Sequence, residues 1–127
     1  GRLFVMVATA NTFGTGPDRL YVGRQKLDEA TLDRFWFLEV PIDENMETGA
    51  AMAWSTDESH AECVRWIQHV QKVRRNVQNQ KLQVIISPRA SISGCRGITN
   101  GVSWNKCVTG RLVPRLNDEM RRTVGAI

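Results

Sequence analysis

Apolar and polar residues alternate differently in the two parts of this chain, and the pattern changes near residue 43. Leu3-Phe4-Val5-Met6-Val7-Ala8 is a continuous apolar run rich in β-formers and too short for a helix with one wet face. It predicts a strand buried on both sides, as in a parallel sheet. Gly14-Thr15-Gly16-Pro17-Asp18 marks a loop, and Tyr21 to Arg24 fits a short hairpin or a turn. Asp28 to Arg34 predicts a short helix, with Asp28 as N-cap and Ala30 and Leu32 facing inward. Phe35-Trp36-Phe37-Leu38-Glu39-Val40 predicts a second buried strand, stopped by Pro41.

Asp43 to Thr56, with Gly49 and Ala50-Ala51, reads as a linker, and the pattern beyond it is all helical. Ser55 or Ser59 can open the next helix, each with a glutamate three residues on, Glu58 or Glu62, in the capping-box arrangement. Cys63, Trp66, Ile67, Val70, Val73 and Val77 then recur at helical spacing. Ser87-Pro88 predicts an N-cap followed by a first-turn proline, in a helix that should end by Gly97. Further helices are expected over Ser103 to Thr109, before Gly110, and over Asn117 to Val124, closed by Gly125. The expected domains are thus residues 1–42, a linker at 43–56 and a helical subdomain at 57–127. Two strands make no covered sheet by themselves, so the chain is expected to be cut from a longer protein.

Composition narrows the function classes. The 127 residues are 42% hydrophobic and 24% charged, an ordinary globular balance with no run long enough to cross a bilayer. Three widely spaced cysteines (Cys63, Cys95, Cys107) argue against a disulfide framework and for a reducing, cytoplasmic setting. Residues 1–56 hold five Lys/Arg against eight Asp/Glu, whereas residues 57–127 hold twelve against five. Such asymmetry fits two subdomains or a surface that meets an anion, but on charge alone Lys/Arg decorating solvated helix faces is the favoured reading.

Three segments, in order, resemble the second half of an AAA+ ATPase module. Phe4 to Asn11 is a strand ending in Ala-Thr-Ala-Asn, similar to the family's sensor 1. Leu27-Asp28-Glu29-Ala30-Thr31-Leu32-Asp33-Arg34-Phe35 is similar to the helix that ends in an arginine finger. Ser87-Pro88-Arg89-Ala90 resembles the start of the sensor 2 helix in the lid. Leu-Asp-Arg-Phe before a strand, and the Gly14 to Gly23 stretch with Tyr21, are similar to the MoxR/CobS-like, dynein-related branch. The resemblance implies an α/β remnant of a P-loop NTPase core, about two parallel strands and a short helix, followed by an all-α helical lid.

It also implies roles. Asn11, beyond the carboxyl end of a strand, would orient an attacking water or a phosphate oxygen; the plain alternative is an asparagine closing a turn. Arg34 would reach the γ-phosphate bound by a neighbouring subunit; the plain alternative is a surface ion pair, with Asp33 and Glu39 nearby in sequence, or a helix C-terminal cation. Arg89 would meet nucleotide phosphate from a helix N-terminus; the plain alternative is a solvated first-turn arginine, an unfavourable place for a cation without an anion partner. Arg19 and Arg24 are further interface candidates. The implied ligands are ATP and Mg in the intact protein. The implied partners are copies of the same protein in a ring, expected to be a hexamer, and a protein client to be remodelled.

No Gly-x-x-x-x-Gly-Lys-Ser/Thr occurs, nor an apolar strand ending in Asp-Glu. The chain alone is therefore expected not to hydrolyse ATP. Cys95 and Cys107 with His60 or His69 lack zinc-ligand spacing, and buried thiols with a surface histidine are expected instead. Trp36, Trp54, Trp66 and Trp104 read as core or interface anchors, and Arg74-Arg75 and Arg121-Arg122 as solvated helix faces, which disfavours nucleic acid as a partner. The rival reading is a non-enzymatic basic module that binds nucleic acid or an acidic protein.

Overall fold

A computed structural model describes residues 4–10, 28–114 and 116–127. The chain divides into two units, Gly1–Val40 and Pro41–Ile127.

Among the described residues there is no β-strand, which corrects the expected α/β core with its two parallel strands. Residues 4–10 and 36–40 carry no regular structure, and Phe4, Trp36 and Leu38 stand 86%, 101% and 84% exposed. A parallel strand persists only where ladder partners satisfy its backbone and helices cover its faces. The one helix described in this unit, α1 (Glu29–Leu32), has four residues and buries none of them. It supplies no such cover. Its start is nonetheless the expected one: Asp28 Oδ1 accepts from the Thr31 amide at 2.8 Å, and Thr31 Oγ1 donates to Asp28 Oδ2 at 2.7 Å.

The second unit is all helical, as expected. Where the pattern suggested a linker, α2 (Glu44–Met52) forms instead. Asp43 caps it, accepting from the amides of Asn45 (2.8 Å) and Met46 (3.0 Å), and Glu44 and Glu47 lie in its first turn, where the helix dipole favours acids. Then α3 (His60–Asn79) runs for twenty residues, about 30 Å, and buries the stripe Cys63, Trp66, Ile67, Val70, Val73 and Val77. Its capping box does not form. Ser59 holds the N-cap position, but its hydroxyl lies 2.9 Å from Thr99 Oγ1 and accepts from the Thr56 amide, so the side chain ties loop to helix.

α4 (Arg89–Thr99) crosses against both α2 and α3. Pro88 rather than Ser87 occupies its N-cap position. It runs past Gly97 because the terminating residue is Gly101, at φ +80°. There the Val102 amide donates to Gly97 O and the Gly101 amide to Ile98 O, the Schellman pattern. Gly94 is where α3 and α4 touch: a Cβ there would overlap the Trp66 indole. Its absence lets Trp66 Nε1 donate to Ala90 O at 3.1 Å. Next, α5 (Trp104–Cys107) widens into a π-helical turn, Val108–Leu112, with Gly110 inside it rather than ending a helix. Finally α6 (Asp118–Thr123) is capped by Asn117 and closed by Gly125 at φ +70°.

Candidate functional site

The site is the turn that carries Ser87-Pro88-Arg89 into α4, and a buried ion pair holds it from both sides. Arg74 belongs to α3 and Glu47 to α2; their side chains are 5% and 1% exposed. Arg74 Nη1 donates to Glu47 Oε2 at 2.7 Å and Nη2 to Oε1 at 2.6 Å, a bidentate fork. The third guanidinium nitrogen, Nε, donates to Ile86 O at 2.8 Å, just before the turn. Ser91, fully buried just after it, donates its hydroxyl to Glu47 Oε1 at 2.5 Å. Burial alone would raise the Glu47 carboxyl. The bonds from Arg74 and Ser91 and the guanidinium charge outweigh it, so the group lies below the ordinary carboxylate range. Outside this core, Glu44 meets Arg75 at 3.1 Å and Arg74 at 3.7 Å, the first pair largely in solvent.

On this mount sits Arg89. It is exposed, it opens α4, and its side chain has no ion-pair or hydrogen-bond partner among the described residues. No acid lies in the first turn of α4, whereas α1, α2, α3 and α6 each have at least one there. The positive end of an eleven-residue helix and an unneutralised guanidinium thus coincide, an arrangement that favours an anion from elsewhere. Arg34, in the other unit, is also exposed. Its amide donates to Thr31 O at 3.3 Å in the turn after α1. The side chain pairs with neither Asp33 nor Glu39. Asn11, Arg19 and Arg24 lie outside the described residues.

Reading the chain alone missed Glu47, Arg74 and Ser91. Arg74 had been assigned to a solvated face, yet it is 4% exposed. Its spacing carried the signal: it falls four residues after Val70 and three before Val77, inside the apolar stripe of α3. Arg75 does lie in solvent, as expected.

Other chemistry-bearing groups are inward. Cys63 Sγ donates to Cys95 O and Cys95 Sγ to Cys63 O, each at 3.7 Å. Burial, with the Cys63 thiol alongside, pushes the Cys95 thiol up to about 12, so it stays protonated near neutrality. His69 is half-buried rather than on the surface, its ring 5.5 Å from that of Trp104 and 6.3 Å from that of Trp66, with Nε2 buried and unpaired. Arg65 lies over Trp104 at 5.5 Å and Arg96 over Trp54 at 4.8 Å. Among the described residues no helix is long and apolar enough to cross a membrane.

Comparison with protein families, curated proteins and solved structures finds no match for this chain.

Proposed function

We propose that this chain is the sensor-and-lid part of a MoxR/CobS-like AAA+ ATPase, which hydrolyses ATP at the subunit interfaces of a ring to remodel a protein partner. The observation that carries the reading is Arg89: an exposed guanidinium with no partner among the described residues, at an acid-free helix N-terminus, on a turn anchored at Ile86 and Ser91. Such a group suits a nucleotide phosphate bound against the lid. Arg34 supplies the second charge. Phosphoryl transfer spreads negative charge over the γ-phosphate oxygens, and an arginine brought to them from a neighbouring subunit is worth roughly 10³–10⁵ in turnover. Asn11 would position the attacking water. By the resemblance, the phosphate-cradling loop and the magnesium ligands belong to elements outside these 127 residues.

The test is Arg34→Ala in the intact protein. Turnover is expected to fall by about 10³ or more, with ATP affinity nearly unchanged, as measured by steady-state hydrolysis beside equilibrium nucleotide binding. Turnover within a few-fold of wild type would refute the assignment.

A second reading, the non-enzymatic module for a polyanion, draws on residues 63–117, which hold ten Lys/Arg and no Asp/Glu. It gives Arg34 no part in hydrolysis, so the same experiment separates the two.

A further inference from the structure

We infer that the buried Glu47–Arg74 pair, with Ser91, is the positioning device for Arg89, setting where its guanidinium meets phosphate. The inference rests on the nucleotide reading of Arg89. It explains why an ion pair is buried here at all. Replacing such a pair with apolar side chains is often neutral or stabilising, so its presence is poorly accounted for by stability.

Its placement is informative. Ile86 and Ser91 bracket Ser87-Pro88-Arg89-Ala90, and both are bonded to the same pair, one through Arg74 Nε and the other through Glu47 Oε1. The two anchors come from different helices, α3 and α2, and the fork between them is bidentate. A planar guanidinium with all three nitrogens engaged has one orientation. The turn therefore cannot shift relative to α2 or α3 without breaking a charged hydrogen bond in a site closed to water. Pro88 adds a fixed φ beside Arg89. Turn and helix start are thus held in one conformation before any ligand arrives, which is what a phosphate-reading arginine requires.

Ser91→Ala is the discriminating variant. It deletes one anchor, leaves the ion pair intact and adds no atoms to the buried position. The Ala90 amide, which donates to Ser87 O at 3.0 Å across the turn, reports its opening. In the 127-residue chain, Ser91→Ala should speed hydrogen exchange at Ala90 about tenfold, the loss expected for one bond to a charged group. Exchange at Val124, bonded to Met120 O in α6, should not change. In the intact ATPase, the same substitution should lower turnover about tenfold in the wild-type background and not at all on top of Arg89→Ala.

Unchanged exchange at Ala90 would overturn the inference whatever Arg89 does. Faster exchange with an equal loss of turnover in both backgrounds would make Ser91 structural only, and overturn it too. If Arg89→Ala leaves turnover untouched while Ala90 exchange still rises, the nucleotide reading has failed, and the positioning role falls with it.

Discussion

Arg74→Ala is the sharpest perturbation of the helical unit. The change removes a bidentate partner from Glu47, whose side chain is 1% exposed, and leaves a carboxylate without its counter-charge where water cannot reach. It also frees Ile86 O, otherwise bonded to Arg74 Nε. Breaking a buried pair on one side costs about 3–5 kcal/mol. A unit of this size is stable by only about 4–13 kcal/mol in all, so the variant should lose about a quarter or more of its stability. At about 4–8 °C per kcal/mol, the expected fall in Tm is at least about 12 °C. The reasoning also predicts a partial rescue. Glu47→Leu/Arg74→Met/Ser91→Ala removes both charges and the hydroxyl together, leaving only the Ile86 carbonyl unpaired, and should return to within about 1–3 kcal/mol of wild type. Urea denaturation of the 127-residue chain, followed by helical circular dichroism, measures both. Arg74→Ala within about 1 kcal/mol of wild type, or a triple variant no more stable than the single one, would refute the argument.

Two further outcomes follow from the same packing. Gly94→Ala places a Cβ on the Trp66 indole and threatens its bond to Ala90 O; overpacking of this kind costs about 1–3 kcal/mol, visible as a lower urea midpoint, and an unchanged midpoint would mean that the α3–α4 contact yields freely. Burial, first, and the charge of Lys72 hold the His69 imidazole below its ordinary range, against an opposing hydrogen bond to Ala126. The unfolded chain then binds more protons than the folded one below about pH 6.5. Stability should therefore be full above that pH and decline as pH falls through the folded value, a slope that His69→Gln should flatten in pH-dependent denaturation. Glu47 acts in the same direction at lower pH, its contribution present above about pH 4.3 and lost on further acidification.

Much of the helical unit was legible because its signals are local and periodic. The stripe from Cys63 to Val77, the Asn117 cap and the Gly125 stop each lie within one element and need no knowledge of its neighbours. What was missed depends on partners distant in the chain. α2 looked like a linker because its inward residues are Glu47 and Ala51, one charged and one small, with no apolar run to announce a helix. Glu47 is buried only because Arg74, 27 residues on, meets it. Ser59 looks like a capping-box residue, but its hydroxyl meets Thr99, and the Ser91 hydroxyl goes to Glu47, 44 residues away. Gly97 looked like a stop, yet the positive φ falls at Gly101 and the π-helical turn carries the chain through Gly110. The two apolar runs misled for a different reason. Leu3 to Ala8 and Phe35 to Val40 have strand composition, but composition cannot provide ladder partners, and the described residues form no strand. Arg34 and Arg89 are singled out by motif resemblance, whereas the Glu47–Arg74 pairing spans 27 residues and only the place of Arg74 within the α3 stripe hints at it.

Under the proposed function, Arg34 acts on nucleotide held by a neighbouring copy. The most direct test measures ATP hydrolysis by the intact protein as Arg34→Ala subunits are mixed into wild-type rings in increasing proportion. Each altered subunit is expected to silence the site next to it while its own site stays active with a wild-type neighbour, so that a subunit defective only in ATP binding and the Arg34→Ala subunit restore hydrolysis when mixed. Failure of that pair to regain activity, or full activity of Arg34→Ala by itself, would contradict it.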